Sequence, residues 1–271
     1  MSRWRLLVTP PARGAWNMAL DEAILRQAGS HQSLPTLRLY AWNPPCLSLG
    51  YAQSFADVDT ARLRALGWDV VRRPTGGRAI LHTDELTYSV CAALDEPLLQ
   101  SATILESYQR LAALLIEAAR SLGLAAEMAA HAPATRAEKG PVCFEEPSAY
   151  EIVCGGKKLI GSAQARKQEG VLQHGSFPLS GDLTRITQAL AFPSEEARTQ
   201  AAQKLLKRAT TAESVTGQSL PWETAAQAFV TAFETGTGLV LEAGEISTAE
   251  QTLAEEFLEK KYAHPSWTER V

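Results

Sequence analysis

Three stretches of the chain carry residue types that could do chemistry together. The first is Arg72-Arg73-Pro74-Thr75-Gly76-Gly77-Arg78-Ala79-Ile80-Leu81-His82, in which three arginines flank a Pro-Thr-Gly-Gly turn and a histidine follows. Gly76 and Gly77 can take positive φ, and without side chains they let a ligand lie directly on backbone N–H groups. Arg73 and Arg78 put fixed positive charge on either side. Taken alone, the stretch reads equally well as a hairpin turn with solvated arginines. The second is Val142-Cys143-Phe144-Glu145-Glu146-Pro147, a thiol in a polar loop. A free thiol has a pKa of about 8.5, so little of it is thiolate near neutrality. A nearby cation would raise that fraction, whereas Glu145 and Glu146 would lower it. A nucleophilic Cys143 therefore needs folding to bring Lys158, His82 or an arginine close. The third is Lys157-Lys158-Leu159-Ile160-Gly161-Ser162-Ala163-Gln164, followed by Gln173-His174-Gly175-Ser176. On a regular strand Lys158, Ile160 and Ser162 share one face, and Leu159, Gly161 and Ala163 the other. The small run Gly161-Ser162-Ala163 leaves room for a ligand to cross the strand. The plainer reading is a hairpin with two surface lysines. His82 or His174 with Cys143 would make a Cys–His pair in principle.

The elements that must position these residues are legible in outline. Trp4 to Val8 reads as a strand, and Trp16 to Gln27 as an amphipathic helix with Leu20, Ala23 and Ile24 at helical spacing. Thr36 to Ala41 and Cys46 to Tyr51 read as short strands, Asp57 to Leu66 as a helix stopped by Gly67, and Trp68 to Leu94 as strand, glycine turn and strand. Thr103 and Glu106 have capping-box spacing at the head of a helix running to Leu122. His131 to Pro141 reads as a loop. Ser148 to Leu179 reads as strands, with a hairpin turning at Gly155-Gly156. Asp182 to Leu190, Glu195 to Lys207, Trp222 to Glu234 and Ser247 to Tyr262 read as helices. The fold expected is α+β, with a mixed or antiparallel central sheet flanked by helices. Residues 1–181 would form the core, and 182–271 a helical segment packed on it.

Composition narrows the classes. The chain has 271 residues, enough for one large domain or two small ones. No apolar run is long enough to span a bilayer, and the N-terminal apolar piece is too short for a signal-peptide core, so a cytoplasmic protein without membrane partners is expected. The formal charge of −4 argues against a general nucleic-acid binder. The four cysteines, at 46, 91, 143 and 154, have neither metal-type nor disulfide-framework spacing, and are expected to be free thiols without metal.

Together these stretches resemble the lipoate/biotin protein ligase and octanoyltransferase superfamily. The match rests on Asn17-Met18-Ala19-Leu20-Asp21-Glu22-Ala23, on Arg38 with Tyr40-Ala41-Trp42-Asn43-Pro44, on Arg72 through His82, and on Leu86-Thr87-Tyr88-Ser89. It continues through Val142-Cys143-Phe144, Lys158 to Gln164 and Gln173 to Ser176, in order, over nearly the whole chain. The resemblance implies the fold shared by class II aminoacyl-tRNA synthetases and biotin/lipoate protein ligases.

Among its branches the chain looks most like the cysteine-dependent octanoyltransferases. That branch implies an octanoyl group taken from octanoyl-acyl carrier protein as a thioester on Cys143, and passed to a specific lysine of lipoyl domains, including the glycine cleavage H protein. Lys158 matches the lysine set against the acyl carbonyl. Arg73, Gly76, Gly77, Arg78 and His82 match the motif that helps build the acyl pocket. Tyr88, Leu81, Gly161, Ser162 and Ala163 are candidate walls, with His174 as a further site residue. No cofactor is implied. An ATP-dependent lipoate ligase, which would use ATP and Mg and dispense with Cys143, is the main alternative. A transferase that moves octanoyl from H protein to other lipoyl domains, a catalytically inert binder and a cysteine hydrolase are the others. Arg72, Arg73, Arg78, Arg136, Lys139, Lys157, Arg166 and Lys167 would form a basic face for acidic partners.

Overall fold

The computed structural model describes residues 2–100, 103–129 and 151–271. It begins with β1 (Arg3–Val8), α1 (Gly14–Gly29), β2 (Thr36–Tyr40), β3 (Cys46–Leu49), α2 (Thr60–Leu66), β4 (Asp69–Arg72), β5 (Ile80–His82) and β6 (Glu85–Ala92). It continues with α3 (Ile104–Ser121), β7 (Ala126–Met128), β8 (Ile152–Cys154), β9 (Lys157–Lys167) and β10 (Gly170–Pro178). The remainder is α4 (Ile186–Ala189), α5 (Glu195–Arg208), α6 (Ala212–Thr216), α7 (Trp222–Thr237), β11 (Val240–Ala243), α8 (Thr248–Phe257) and α9 (Pro265–Thr268).

Eight strands form one mixed sheet in the order β11-β1-β2-β6-β10-β9-β8-β7, and β4-β3-β5 form a second. In the large sheet β1 runs parallel to both β11 and β2, and the remaining pairs are antiparallel. Alternation sends Leu37, Leu39, Leu86, Tyr88 and Val90 to one face, where α3 and α7 cover them with Leu111, Leu115, Phe229 and Phe233. Leu7, Cys91 and Leu172 face the other way and pack on Leu20 and Ile24 of α1 and Ala254 of α8. The small sheet buries Leu47, Leu49 and Ile80 against Leu63, Ile186, Leu190 and Leu205.

Local chemistry explains where these elements begin and turn. Thr103 accepts from the Glu106 N–H at the head of α3, whose Leu111, Leu114, Leu115 and Ala118 then bury one stripe. The reciprocal capping box of Ser247 and Glu250 is complete on α8. Gly155 and Gly156, at φ 56 and 74, supply the two left-handed residues that a tight hairpin needs.

Two expectations need correction. Segment 182–271 is not wholly helical, because β11 joins the large sheet beside β1 while α7 and α8 cover opposite faces. The period-2 reading of β9 also fails at its start. Lys158 pairs with Val153 but Ile160 pairs with Ile152, so one extra residue is accommodated at Leu159. Leu159 and Ile160 both enter the main core, and Lys158 is released from the face of Ser162.

Candidate functional site

The register of the large sheet assembles the site. Gly161 lies opposite Ser176 and Ala163 opposite His174, and on the other side of β10 Ser176 faces Thr87 and His174 faces Ser89. These residues share the α1 side of the sheet. Met18 of α1, Tyr40 and Trp42, and the turn containing Gly76 and Gly77 close over them. Ile80 and His82 of β5 complete the walls. The space between them, open solvent at its mouth included, is about 410 Å³, and its walls are mostly carbon. Met18, Tyr40, Trp42 and Thr87 at one side are buried, whereas Gly76 and Gly77 are exposed and mark the mouth.

The turn is held from behind. Arg73 Nη1 donates to the carbonyl and hydroxyl of Ser48, both at 2.7 Å, and Nη2 to the carbonyls of Gly76 and Arg78 at 3.2 and 2.9 Å. Gly77 has φ 95, the left-handed conformation that glycine takes without strain. Gly76 does not, although the sequence allowed it to. Gly50 sits so close that a Cβ added there would lie 1.8 Å from the Gly77 oxygen.

Both histidines are locked into buried networks. His82 Nδ1 lies 2.6 Å from Glu85 Oε1, and its Nε2 is 2.6 Å from Ser48 Oγ. A carboxylate can only accept, so Nδ1 carries a proton, and Nε2 shares a hydrogen bond with the Ser48 hydroxyl. The ring stacks on Trp42 at 4.0 Å. Glu85 also accepts from Thr87 and Ser176, which fixes two further cavity residues. His174 Nε2 lies 2.6 Å from Thr75 Oγ1, and Nδ1 lies 3.6 Å from Asp21 Oδ2. Burial pushes the His174 pKa down, against the pull of Asp21, and so favours a neutral ring. Asp21 is fully buried and accepts from Arg38 at 2.7 Å, Ser89 at 2.8 Å and Tyr40 at 2.9 Å. Burial alone would raise its pKa, but Arg38 and His174 outweigh that and hold it low.

Lys158 is 6% exposed, and its Nζ donates to Glu151 Oε1 at 2.6 Å, with the Glu151 side chain 9% exposed. It stands three residues before Gly161, at the end of the strand that forms one cavity wall. Cys143 and the rest of Val142 to Pro147 lie outside the described residues, as do Arg136 and Lys139. The other three cysteines are buried free thiols. Among the described residues no group of His, Cys, Asp and Glu could hold a metal ion, and no helix is long and apolar enough to cross a membrane.

The structure thus brings Arg73, Gly76, Gly77, His82, Gly161, Ser162, Ala163 and His174 to one cavity. Two candidate walls lie elsewhere. Tyr88 points to the opposite sheet face, where its ring centroid is 5.9 Å from Phe229 and its hydroxyl lies 2.7 Å from Ser162 Oγ, so Ser162 walls the cavity with its backbone and not with its hydroxyl. Leu81 is not among the cavity's walls and packs against the second core, of which Ile80 is also part. Arg78 lines an outer groove instead. Arg72 is buried and donates to the carbonyls of Gly50, Gln53 and Thr268 at 2.9, 2.5 and 2.8 Å, so neither it nor Arg73 belongs to a basic face. Lys157 donates to the Leu206 carbonyl at 2.7 Å. Sequence reasoning gave no site role to Asp21, Ser48, Thr75 or Glu85. The available signal was Asn17 and Asp21, one turn apart on the buried face of α1.

The sequence that builds this sheet and cavity matches a known family. Residues 13–234 match the lipoyl protein ligase A/B catalytic domain, and the chain belongs to that family. It is similar over its length to proteins named octanoyltransferase LipM. That of Moorella thermoacetica is 41% identical over 269 residues, 98% of each chain. That of Kyrpidia tusciae is 38% identical over 100% of each, and that of Bacillus subtilis 36% over 97% of each. In fold it resembles a bipartite lipoate protein ligase from Thermoplasma acidophilum, with TM-score 0.80 and 23% identity over 99% of this chain and 97% of that one. A lipoate-protein ligase A structure bound with ATP gives TM-score 0.78 and 24% identity over 99% of both.

Proposed function

We propose that this protein is an acyltransferase that moves an octanoyl group from acyl carrier protein to a specific lysine of lipoyl domains, the glycine cleavage H protein among them. The observation that carries the reading is the narrow carbon-walled cavity under Gly76 and Gly77, with Lys158 buried at the end of its β9 wall. An eight-carbon chain suits such a slot, at about 0.8 kcal/mol per buried methylene. The chain's similarity to octanoyltransferases over its full length fixes the reaction class proposed.

Two exchanges suffice. The Cys143 thiolate attacks the donor thioester, a new carbon–sulfur bond forms, and the carrier's thiol leaves with the proton. The acceptor lysine, as the neutral amine, then attacks the Cys143 thioester; an amide forms and the Cys143 thiol is regenerated. Neither exchange needs ATP. Lys158 favours the thiolate by its charge and stabilises the oxygen that becomes negative at the tetrahedral stage. Backbone N–H groups of the glycine turn would add donors for the same work. A hydrolase built on His82 or His174 fits poorly, because both nitrogens of each ring already face a buried partner.

The test is intact-mass spectrometry after incubation with octanoyl-acyl carrier protein. An octanoyl adduct on the wild type that is absent from Cys143→Ala is the expected result. Modification of a lipoyl domain only when ATP is supplied would replace this reading with a ligase.

A further inference from the structure

Lys158 brings a chemical hazard to the site along with its charge. To steady the carbonyl oxygen of a thioester, its Nζ must lie within hydrogen-bond reach, at about 3 Å. The carbonyl carbon is then less than one bond further away, close to the roughly 3–3.5 Å at which bound groups react. As the neutral amine, Lys158 would do to the Cys143 thioester what the acceptor lysine does. Its nitrogen attacks the carbonyl carbon, a carbon–nitrogen bond forms, the carbon–sulfur bond breaks, and the Cys143 thiol leaves with the proton the nitrogen gives up. That amide ends turnover, because neither exchange breaks it. Burial sharpens the hazard, since desolvation favours the uncharged amine and Lys158 is 6% exposed.

A carboxylate stands against that nitrogen. Glu151 Oε1 accepts from Lys158 Nζ at 2.6 Å, and both side chains are buried. Backbone bonds hold the pair at both ends. The Lys158 carbonyl accepts from the Thr210 N–H at 3.0 Å, and the Glu151 carbonyl from the Ala129 N–H at 2.7 Å. Glu151 comes two residues before Val153, the partner of Lys158 across the β8–β9 hairpin. Lys157 is exposed and bonds the Leu206 carbonyl instead. A buried ammonium keeps its proton when a carboxylate is in contact. We infer that Glu151 is a positioning residue that holds Lys158 as the ammonium, so that Lys158 assists transfer from Cys143 without being acylated itself. The inference rests on the octanoyl-transfer reading.

The experiment compares the wild type with Glu151→Gln and Glu151→Asp after repeated turnover with octanoyl-acyl carrier protein. Each protein is treated with hydroxylamine, which cleaves thioesters and leaves amides, and its peptides are mapped by mass. Lys158 should stay unmodified in the wild type and in Glu151→Asp, which keeps the charge. In Glu151→Gln a hydroxylamine-stable octanoyl group should build up on Lys158 by roughly tenfold or more, the rise in neutral amine expected when one contacting charge is lost. Transfer should decay with turnover in step, which damage to the fold alone would not produce. Nitrogen NMR on isotopically labelled lysine, assigned with Lys158→Arg, reads the proton directly. Near neutral pH it should show Lys158 as ammonium in the wild type and partly as amine in Glu151→Gln. A folded Glu151→Gln that leaves Lys158 unacylated overturns the inference, as does a Glu151→Asp that acylates it equally. If Glu151→Gln does not fold, a wild type whose Lys158 is already the neutral amine overturns it. A wild type without a Cys143 adduct would count against the octanoyl-transfer reading instead, and the nitrogen signal would still decide whether Glu151 holds the proton.

Discussion

Asp21→Asn keeps the shape of a fully buried side chain and removes its charge. The native carboxylate accepts from Arg38, Tyr40 and Ser89, and all three are donors. The amide can offer only one acceptor oxygen, so its NH2 must face another donor. Arg38, 1% exposed, loses its counter-ion. Removing one partner of a buried ion pair costs about 3–5 kcal/mol. Arg38 keeps the Asn17 side chain at 2.7 Å, the Asn17 carbonyl at 3.1 Å and the Tyr40 ring face at 3.9 Å. The lower end, about 3 kcal/mol, is therefore expected. That is a large share of the roughly 5–15 kcal/mol by which a domain is held folded. Urea unfolding at neutral pH would show a lower midpoint with an unchanged slope. A double-mutant cycle with Arg38→Met separates the pair from general damage, because losing both partners leaves no stranded charge. The double variant should be more stable than the two single losses sum to, by about 2 kcal/mol. A cost below about 1 kcal/mol for Asp21→Asn, or additivity within about 0.5 kcal/mol, would refute the reasoning.

Gly50→Ala places a Cβ 1.8 Å from the Gly77 oxygen, so the turn must move. A loss of about 1–3 kcal/mol and a smaller octanoyl adduct are expected; thermal unfolding and intact mass with both unchanged would contradict this. His174 gives a pH dependence of known sign. Its folded pKa lies below the ordinary 6.5, so as pH falls the unfolded chain takes up that proton first. The stability it contributes is whole above 6.5 and drains away between there and the lower folded value. Asp21, also lowered, acts in the same direction but only below its ordinary 3.8. The stability lost on mild acidification should shrink in His174→Gln, and an equal loss in both proteins would remove His174 from the account. Transfer from the acyl carrier should slow as salt rises, because screening weakens long-range attraction to basic side chains such as Arg78 and Lys167. A rate indifferent to salt would leave those side chains no part in encounter.

What could be read in the chain was what is local. Ser247 with Glu250, Thr103 with Glu106, and Gly155-Gly156 each satisfy backbone groups within a few residues, and each appears where expected. β7 and β11 were missed because strands of three and four residues have no period to detect, and β11 is stabilised by β1, more than two hundred residues away in the chain. The site divides along the same line. Glycines and histidines announce themselves by type, but Asp21, Ser48, Thr75 and Glu85 acquire meaning only from partners on other elements. Two errors have a sharper cause. Period-2 alternation was applied across Leu159, where a bulge breaks it. It was not applied to β5 and β6, where it rules. Ile80 and His82 cannot share the cavity with Leu81, nor Thr87 with Tyr88, if the strands are regular. Side-chain direction, which is decided by pairing and not by residue type, separates a wall of the cavity from a residue packed behind it.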